Sequence, residues 1–274
     1  MTVLITAGEL AEELAGPNPP LVLDVRWALT QPDGRADFEA GHVPGAVYVD
    51  LETELSTHGE PTAGRHPLPT RERLEEAARA WGLNDGVRVV VMDGGPSFGA
   101  SRAWWLLRHA GVDVRILDGG YPAWAELALP IEAGPAMPFA GHATLSWGHM
   151  PVITADEAAS YEGLLLDARA GERYRGEVEP MDPVAGHIPG AVNAPTTENS
   201  ELDGRFKPAA ALAERFSELR TEPGAIAVYC GSGVTAAHQI AAMEIAGISD
   251  VALYPGSWSA WSNQGRPVAT GATP

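Results

Sequence analysis

The sequence predicts two tandem α/β domains, each built on a central, mainly parallel sheet with helices on both faces. The first observation behind this prediction is an internal repeat, since residues 21–26 (LVLDVR) recur as residues 164–169 (LLLDAR). Residues 41–47 (GHVPGAV) recur in the same order as residues 186–192 (GHIPGAV). Two copies of one fold therefore follow each other along 274 residues, a length that suits two ordinary domains.

The second observation is that short apolar runs alternate with helical patterns within each copy. Residues 87–92 are apolar at nearly every position, which is typical of a strand buried on both faces of a parallel sheet. Helices are predicted over residues 71–81 and 234–246. Gly111 and Gly247 stand where a helix C-terminus favours a left-handed residue. Strands separated by helices favour parallel pairing with right-handed crossovers.

The boundary between the copies is expected in residues 134–151, which are poor in charge and rich in glycine, proline and small residues. We predict an N-terminal domain at residues 1–138, a linker at residues 139–150 and a C-terminal domain at residues 151–274. Residues 1–10 lack a basic region followed by a long apolar stretch, so we expect a short strand and a helix there instead of a signal peptide.

Composition excludes several classes of partner. The formal net charge of −18 would repel nucleic acid and anionic membrane surfaces. A single cysteine cannot form an internal disulfide, which argues against a disulfide-stapled secreted protein. No run approaches the roughly 18 apolar residues that a membrane span requires. We therefore expect a cytoplasmic protein that binds neither nucleic acid nor membrane.

The only cysteine, Cys230, follows an apolar run and precedes a Gly-Ser-Gly loop that opens the helix predicted at residues 234–246. A buried strand that ends in glycine-rich backbone and becomes helical directs several N–H groups into the turn. Such a turn stabilises an anion, and a thiolate at Cys230 is the side chain best placed to be that anion. The sequence therefore predicts a reactive cysteine rather than a buried structural one.

The repeat separates features of the shared fold from features of one copy. The Asp-x-Arg pairs, Asp24 with Arg26 and Asp167 with Arg169, occur in both copies, which favours a structural ion pair. The histidine of the Gly-His-x-Pro-Gly turn also recurs, so we expect it to satisfy backbone groups. The cysteine does not recur, because the first copy has Asp93 in its place. This difference predicts a reacting second domain and a catalytically silent first domain.

Other cysteine chemistries fit the loop poorly. A phosphatase of the Cys-x5-Arg type needs arginine at the sixth residue after the cysteine, and this chain has Ala236 there. A cysteine hydrolase needs a general base, and the nearby His238 lies well inside the following helix. A lone cysteine without clustered ligands argues against a metal site, and no Cys-x-x-Cys redox motif is present.

In combination, these motifs and the Pro-Gly-Ser-Trp sequence at residues 255–258 resemble the two-domain rhodanese superfamily over about residues 3–270. The resemblance implies two tandem rhodanese-like domains, without cofactor or metal, that move a sulfane sulfur through a persulfide on Cys230. It implies a small anionic donor and a thiol or cyanide acceptor, with a thioredoxin-like protein among the candidate partners. The neutral Gly231-Ser232 pair is most similar to 3-mercaptopyruvate sulfurtransferases. Thiosulfate as donor, or a persulfide carrier with little turnover, remain the alternatives.

The resemblance also assigns roles to individual residues. It implies that Cys230 accepts the sulfur and that Ser232 polarises the donor or relays a proton. The residues expected to bind the thiolate, persulfide or donor are Gly231, Gly233, Val234, Thr235, Arg173 and Arg175. A supporting role falls on His42 and Asp33.

One departure from the family pattern concerns donor binding. A second carboxylate-binding arginine is usual within residues 179–183, where this chain has Met181. Either Arg175 or another arginine substitutes for it, or the donor is not mercaptopyruvate.

Overall fold

The computed structural model describes residues 2–220 and 224–274, and the chain forms two compact units. The first unit comprises Met1–Ser56, Pro69–His149 and Glu201–Phe206, and the second comprises Thr57–Leu68, Met150–Ser200 and Lys207–Pro274. The main division, between His149 and Met150, lies at the end of the linker predicted at residues 139–150. The predicted division at one linker does not include two short segments that fold with the other half of the chain, Thr57–Leu68 and Glu201–Phe206.

The first unit is an α/β unit with one fully parallel sheet. Its strands are β1 (Leu4–Ile5), β2 (Leu21–Asp24), β3 (Val47–Tyr48), β4 (Val89–Met92) and β5 (Val114–Leu117). Their order in the sheet is β1-β5-β4-β2-β3. Its helices are α1 (Ala7–Leu14), α2 (Arg35–Ala40), α3 (Arg71–Ala80), α4 (Phe98–His109) and α5 (Gly120–Glu126). The non-consecutive order shows the helical crossovers that parallel pairing requires.

The second unit repeats this plan. Its strands are β6 (Leu164–Asp167), β7 (Val192–Asn193), β8 (Ile226–Tyr229) and β9 (Ala252–Leu253), in the parallel order β7-β6-β8-β9. Its α-helices are α6 (Ala155–Ala159), α7 (Gly171–Tyr174), α8 (Ala209–Leu219), α9 (Val234–Ile245) and α10 (Ser257–Asn263). Short 3-10 helices lie at Pro61–Ala63 and Thr196–Asn199. A single parallel bridge from Val152 to Leu253 stands where the first unit has β1.

The predicted elements agree with this fold to within two residues. The strand predicted at 87–92 is β4, and the helices predicted at 71–81 and 234–246 are α3 and α9. β4 and β8 are buried at every position, as expected for central strands of a parallel sheet. In the described part of the chain no helix is both long and apolar enough to cross a membrane.

The repeated Asp-x-Arg pairs are buried ion pairs, which confirms the structural interpretation. Arg26 Nε lies 2.8 Å from Asp24 Oδ1, and Arg169 Nη2 lies 2.6 Å from Asp167 Oδ2. Each guanidinium also donates to the carbonyl of the glycine that opens the Gly-His turn, Gly41 O at 3.0 Å or Gly186 O at 2.7 Å. Each pair therefore ties the end of a central strand to the turn that precedes the next strand.

We predict that alanine at the two helix-ending glycines destabilises the protein to different degrees. Gly247 has φ +83° and no atom near its missing Cβ, so Gly247→Ala should cost only the left-handed backbone strain of about 1–2 kcal/mol. Gly111 has φ +79°, and a Cβ there would lie 2.2 Å from Ser146 Oγ. Gly111→Ala should therefore cost measurably more in denaturant titrations; equal losses would contradict the steric contribution.

Candidate active site

Cys230 lies between β8 and α9, in a loop that directs a backbone N–H at the sulfur. The residue is 1% exposed, and the Gly233 N–H donates to Cys230 Sγ at 3.0 Å. Gly233 has φ +82°, and a Cβ there would lie 2.6 Å from the Pro255 carbonyl oxygen. Only glycine therefore fits this turn, and the turn directs an N–H toward the sulfur.

The other side of the loop is fixed by the first turn of α10. The carbonyl oxygens of Cys230 and Gly231 accept hydrogen bonds at 2.9 Å from the N–H groups of Trp258 and Ser259. In a trans peptide the C=O and N–H point in opposite directions. Anchoring these two carbonyls on α10 therefore turns the N–H groups of Gly231 and Ser232 away from that helix.

Ser257 holds the remaining backbone group of the cysteine. Its Oγ accepts the Cys230 N–H at 3.1 Å and donates to the Tyr254 carbonyl at 3.0 Å. Ser257 is buried with φ +53°, a region that costs a residue with a Cβ about 1–3 kcal/mol. The matching residue of the first unit, Gly120 at φ +58°, carries no such strain. Ser257 is part of the Pro-Gly-Ser-Trp sequence, but no local pattern in the sequence predicts its hydrogen bond to Cys230.

Asp93 occupies the corresponding turn of the first unit, after β4. Its carboxylate accepts the N–H groups of Gly95, Ser97 and Ala100 at 2.9–3.2 Å. Its carbonyl accepts the Tyr121 N–H at 2.8 Å, as the Cys230 carbonyl accepts that of Trp258. Burial raises the pKa of Asp93, and the loop N–H groups oppose that shift. The same turn thus surrounds a carboxyl group in one unit and a thiol in the other.

The hydroxyl of Ser232 is paired with a histidine that sequence analysis missed. Ser232 Oγ lies 2.7 Å from Nδ1 of His66, and both residues are buried. His66 belongs to Thr57–Leu68, the segment of the first half of the sequence that folds with the second unit. It is 166 residues from Ser232 in the chain, so no local spacing could have indicated the pair.

Two guanidinium groups lie beside Gly231. A Cβ on Gly231 would be 3.0 Å from Arg65 Nη2 and 3.5 Å from Arg173 Nη1. Arg173 was expected here, whereas Arg65 enters from the same segment as His66. The family pattern places a second arginine within residues 179–183. In this chain the second arginine beside the loop is Arg65, which comes from a different segment.

Both arginines are already paired with carboxylates of the loop after α7. Arg173 Nη2 lies 2.6 Å from Glu179 Oε1, and Arg65 Nη1 is hydrogen-bonded to Asp182 Oδ1. Asp182 Oδ2 lies 3.5 Å from Arg173 Nη2. Burial raises the pKa of the Asp182 carboxyl, and the Arg65 and Arg173 guanidiniums oppose that shift.

Of the remaining predicted residues, Val234 and Thr235 lie at the start of α9, whereas Arg175 lies away from the loop. Val234 is buried at the start of α9, and the Thr235 carbonyl accepts the Thr196 hydroxyl at 3.4 Å. Arg175 pairs with Glu177 at 2.7 Å on an exposed surface, and none of its described contacts reaches the loop. The prediction that Arg175 compensates for Met181 thus gains no support from its position.

His42 and Asp33 lie in the first unit, where each has its own partners. Nδ1 of His42 lies 2.8 Å from the Phe38 carbonyl, and its ring stacks on Phe38. His187 makes the same contacts with Tyr174 in the second unit. Asp33 is exposed and accepts the Arg35 N–H at 2.9 Å. The shared geometry of the histidines agrees with the interpretation that they satisfy backbone groups.

His238 is fully buried, and its contacts do not suit the role of a general base. Its Nδ1 lies 2.8 Å from Thr196 Oγ1, and burial lowers its pKa to about 3. With this pKa the imidazole is neutral near pH 7. Its contact with Thr196 links α9 to the 3-10 helix at Thr196–Asn199. The position of His238 therefore argues against cysteine hydrolase chemistry, as the sequence did.

The fold and this site define a class of protein: α/β enzymes with one buried, amide-lined cysteine in a duplicated parallel-sheet domain. The model of the rhodanese-like domain matches residues 6–127 and 154–264. Because these matches cover most of the chain, the chain belongs to the rhodanese family. The expected family and the expected pair of rhodanese-like domains are confirmed.

The relatives are named as sulfurtransferases. A putative thiosulfate sulfurtransferase of Mycobacterium tuberculosis is 47% identical, with 98% of this chain and 97% of the relative covered. A probable 3-mercaptopyruvate sulfurtransferase of Pseudomonas aeruginosa is 45% identical, with 98% of each chain covered. The structure of the Escherichia coli 3-mercaptopyruvate enzyme has a TM-score of 0.83 at 34% identity, with 94% of this chain and 99% of that chain covered. The expectation of a sulfurtransferase is confirmed.

We predict that His238 makes stability depend on pH. Its folded pKa of about 3 is below the ordinary value near 6.5, so the unfolded chain binds the extra proton between these values. The free energy of unfolding should therefore fall as the pH drops from 6.5 toward 3, by at most about 1.4 kcal/mol per pH unit from this residue. His238→Asn should remove that part of the slope in denaturant titrations at pH 4–7; an unchanged slope would contradict the assignment.

Proposed function

We propose that this sulfurtransferase takes a sulfur atom from 3-mercaptopyruvate onto Cys230 and passes it to a small thiol or to cyanide. The hydrogen-bonded pair of Ser232 and His66 beside the amide-lined cysteine carries this proposal. 3-Mercaptopyruvate brings a thiol proton that must move during the reaction, whereas thiosulfate brings none. A hydroxyl-imidazole pair is a means of moving that proton.

The first half-reaction makes a persulfide. The Cys230 thiolate attacks the donor sulfur, the donor C–S bond breaks, and its electron pair goes to carbon as the enolate of pyruvate. The donor thiol proton ends on that carbon, so the products are pyruvate and a Cys230 persulfide anion. The loop that holds the thiolate also holds the persulfide, because the Gly233 N–H and the turned peptide groups of Gly231 and Ser232 favour negative charge.

Ser232 and His66 handle the proton. Ser232 lies two residues after the nucleophile, and His66 Nδ1 at 2.7 Å can take or return a proton through its hydroxyl. Their burial keeps the pair away from bulk water, which strengthens the hydrogen bond between them. Their role is to remove the proton from the donor thiol and to deliver it to the enolate.

Arg65 and Arg173 are the groups that would hold the donor carboxylate. Their nitrogens lie beside Gly231, the residue that directly follows the cysteine in the chain. Because the chain carries a net charge of −18, such local cations are needed to collect an anion. Arginine suits this task, since its planar fork binds carboxylates in bidentate fashion.

The second half-reaction returns the cysteine. The acceptor attacks the outer sulfur, the S–S bond breaks, and its electron pair returns to Cys230 as thiolate. Cyanide yields thiocyanate, and a thiolate yields a new persulfide. No second cysteine exists in the chain to resolve the persulfide internally, so the acceptor is external. A thioredoxin-like protein as acceptor, and a cytoplasmic location where thiols stay reduced, remain predictions.

Thiosulfate is the second candidate donor. Two guanidiniums beside the loop could bind its two negative charges, and the relative from Mycobacterium tuberculosis is named as a putative thiosulfate enzyme. The neutral loop residues Gly231 and Ser232 argue the other way, because they add no cation of their own.

We predict that Cys230→Ser abolishes sulfur transfer, because the hydroxyl is a far weaker nucleophile at neutral pH. In the unaltered enzyme, 3-mercaptopyruvate should give a larger kcat/KM than thiosulfate, with cyanide as acceptor and thiocyanate as the readout. Ser217→Ala, at an exposed serine of α8, is the control and should turn over normally. Transfer by Cys230→Ser would remove the nucleophile assignment, and faster turnover of thiosulfate would reverse the donor. A stable persulfide without multiple turnover would favour a carrier.

We predict that Ser232→Ala lowers kcat with 3-mercaptopyruvate at least tenfold, since general acid–base groups contribute about 10²–10⁴. The rate with thiosulfate should fall less than threefold, because that donor has no proton to move. His66→Gln should behave alike, and the double variant should be no slower than the worse single one. Losses that multiply in the double variant, or equal losses for both donors, would show that the residues do not act as one proton-transferring pair.

A further inference from the structure

Two carboxylates contact the guanidiniums that would bind the donor: Glu179 pairs with Arg173, and Asp182 contacts both Arg65 and Arg173. Glu179 is built into its loop: Oε1 accepts the N–H groups of Met181 and Asp182 at 3.1 Å and also binds Arg173. Its second oxygen lies within 3.4 Å of Arg169 and Arg173. Glu179 therefore orders the loop and fixes Arg173.

Asp182 has a different set of contacts. Its buried carboxylate meets Arg65 on one side and lies 3.5 Å from Arg173 on the other. Its backbone, and not its side chain, is held by Glu179. The side chain is therefore placed between the two guanidiniums beside Gly231 and competes with any anion that binds there.

The charges of this cluster cancel. Three cations and three anions contact one another, namely Arg65, Arg169, Arg173, Asp167, Glu179 and Asp182. Without Asp182 the cluster would carry one net positive charge. In a molecule with a net charge of −18, that local positive charge would favour an arriving anion.

We propose that Asp182 is a specificity-determining residue that favours a singly charged donor over a doubly charged one. The proposal rests on the proposed function, because it takes the donor anion to bind beside Arg65 and Arg173. Coulomb energy is proportional to the donor's charge. If Asp182 weakens a monoanion such as 3-mercaptopyruvate by a given factor, it weakens a dianion such as thiosulfate by about the square of that factor.

The test compares donor preference in variants that change this one charge. Single-turnover formation of the Cys230 persulfide is measured with each donor, and the specificity ratio of thiosulfate to 3-mercaptopyruvate is compared with the unaltered enzyme. Asp182→Asn removes one negative charge and should raise the ratio at least threefold. Arg65→Gln removes one positive charge and should lower it at least threefold. The double variant restores the charge balance and should return the ratio to within twofold of its original value.

Glu177→Gln is the matched control, because Glu177 is an exposed carboxylate that pairs with Arg175. It should leave the ratio unchanged; a shift as large as that of Asp182→Asn would overturn the proposal by showing an effect of overall charge. A ratio that does not rise in Asp182→Asn would overturn it directly. If Asp182→Asn does not fold, Asp182→Ser removes the same negative charge and takes its place, and an unchanged or lowered ratio there rejects the idea. Because ratios are compared between variants, the result does not depend on which donor the unaltered enzyme prefers.

Discussion

The hydrogen bonds from the first turn of α10 to the carbonyls of Cys230 and Gly231 orient the peptide groups on which the site depends. With those carbonyls turned toward Trp258 and Ser259, the following N–H groups are directed away from α10, and the Gly233 N–H binds the sulfur. Strain at Ser257 is retained because its hydroxyl binds the Cys230 N–H.

The duplication supplies an internal comparison of this constraint. The first unit keeps the backbone arrangement, including the hydrogen bond from Tyr121 to the Asp93 carbonyl, but it holds a carboxyl group in place of the thiol. It also has Gly120 where the second unit has Ser257. The turn that surrounds an acidic group is therefore a property of the fold, and the two copies differ in the side chains that it holds.

Electrostatics restrict what this turn can accept. An excess of 18 negative charges over the whole chain opposes anionic donors, while Arg65 and Arg173 attract them locally. Asp182 and Glu179 offset that attraction within the same cluster. In the proposed mechanism, donor choice would depend on a small difference between larger opposing charges, which a single carboxylate would shift.

The sequence by itself determined the duplicated α/β fold, the strands β4 and β8, the helix α9 and the place of Cys230 in the glycine-containing turn between them. These features are encoded locally, in the apolar runs, the glycines with left-handed backbone and the motif order of each copy. Only the tertiary structure decided that Arg65 and His66 lie beside Gly231 and Ser232 and that Arg175 pairs with Glu177 instead. Thr57–Leu68 folds with the second unit, 166 residues in sequence separate His66 from Ser232, and such proximity arises from packing that no local pattern of residues records.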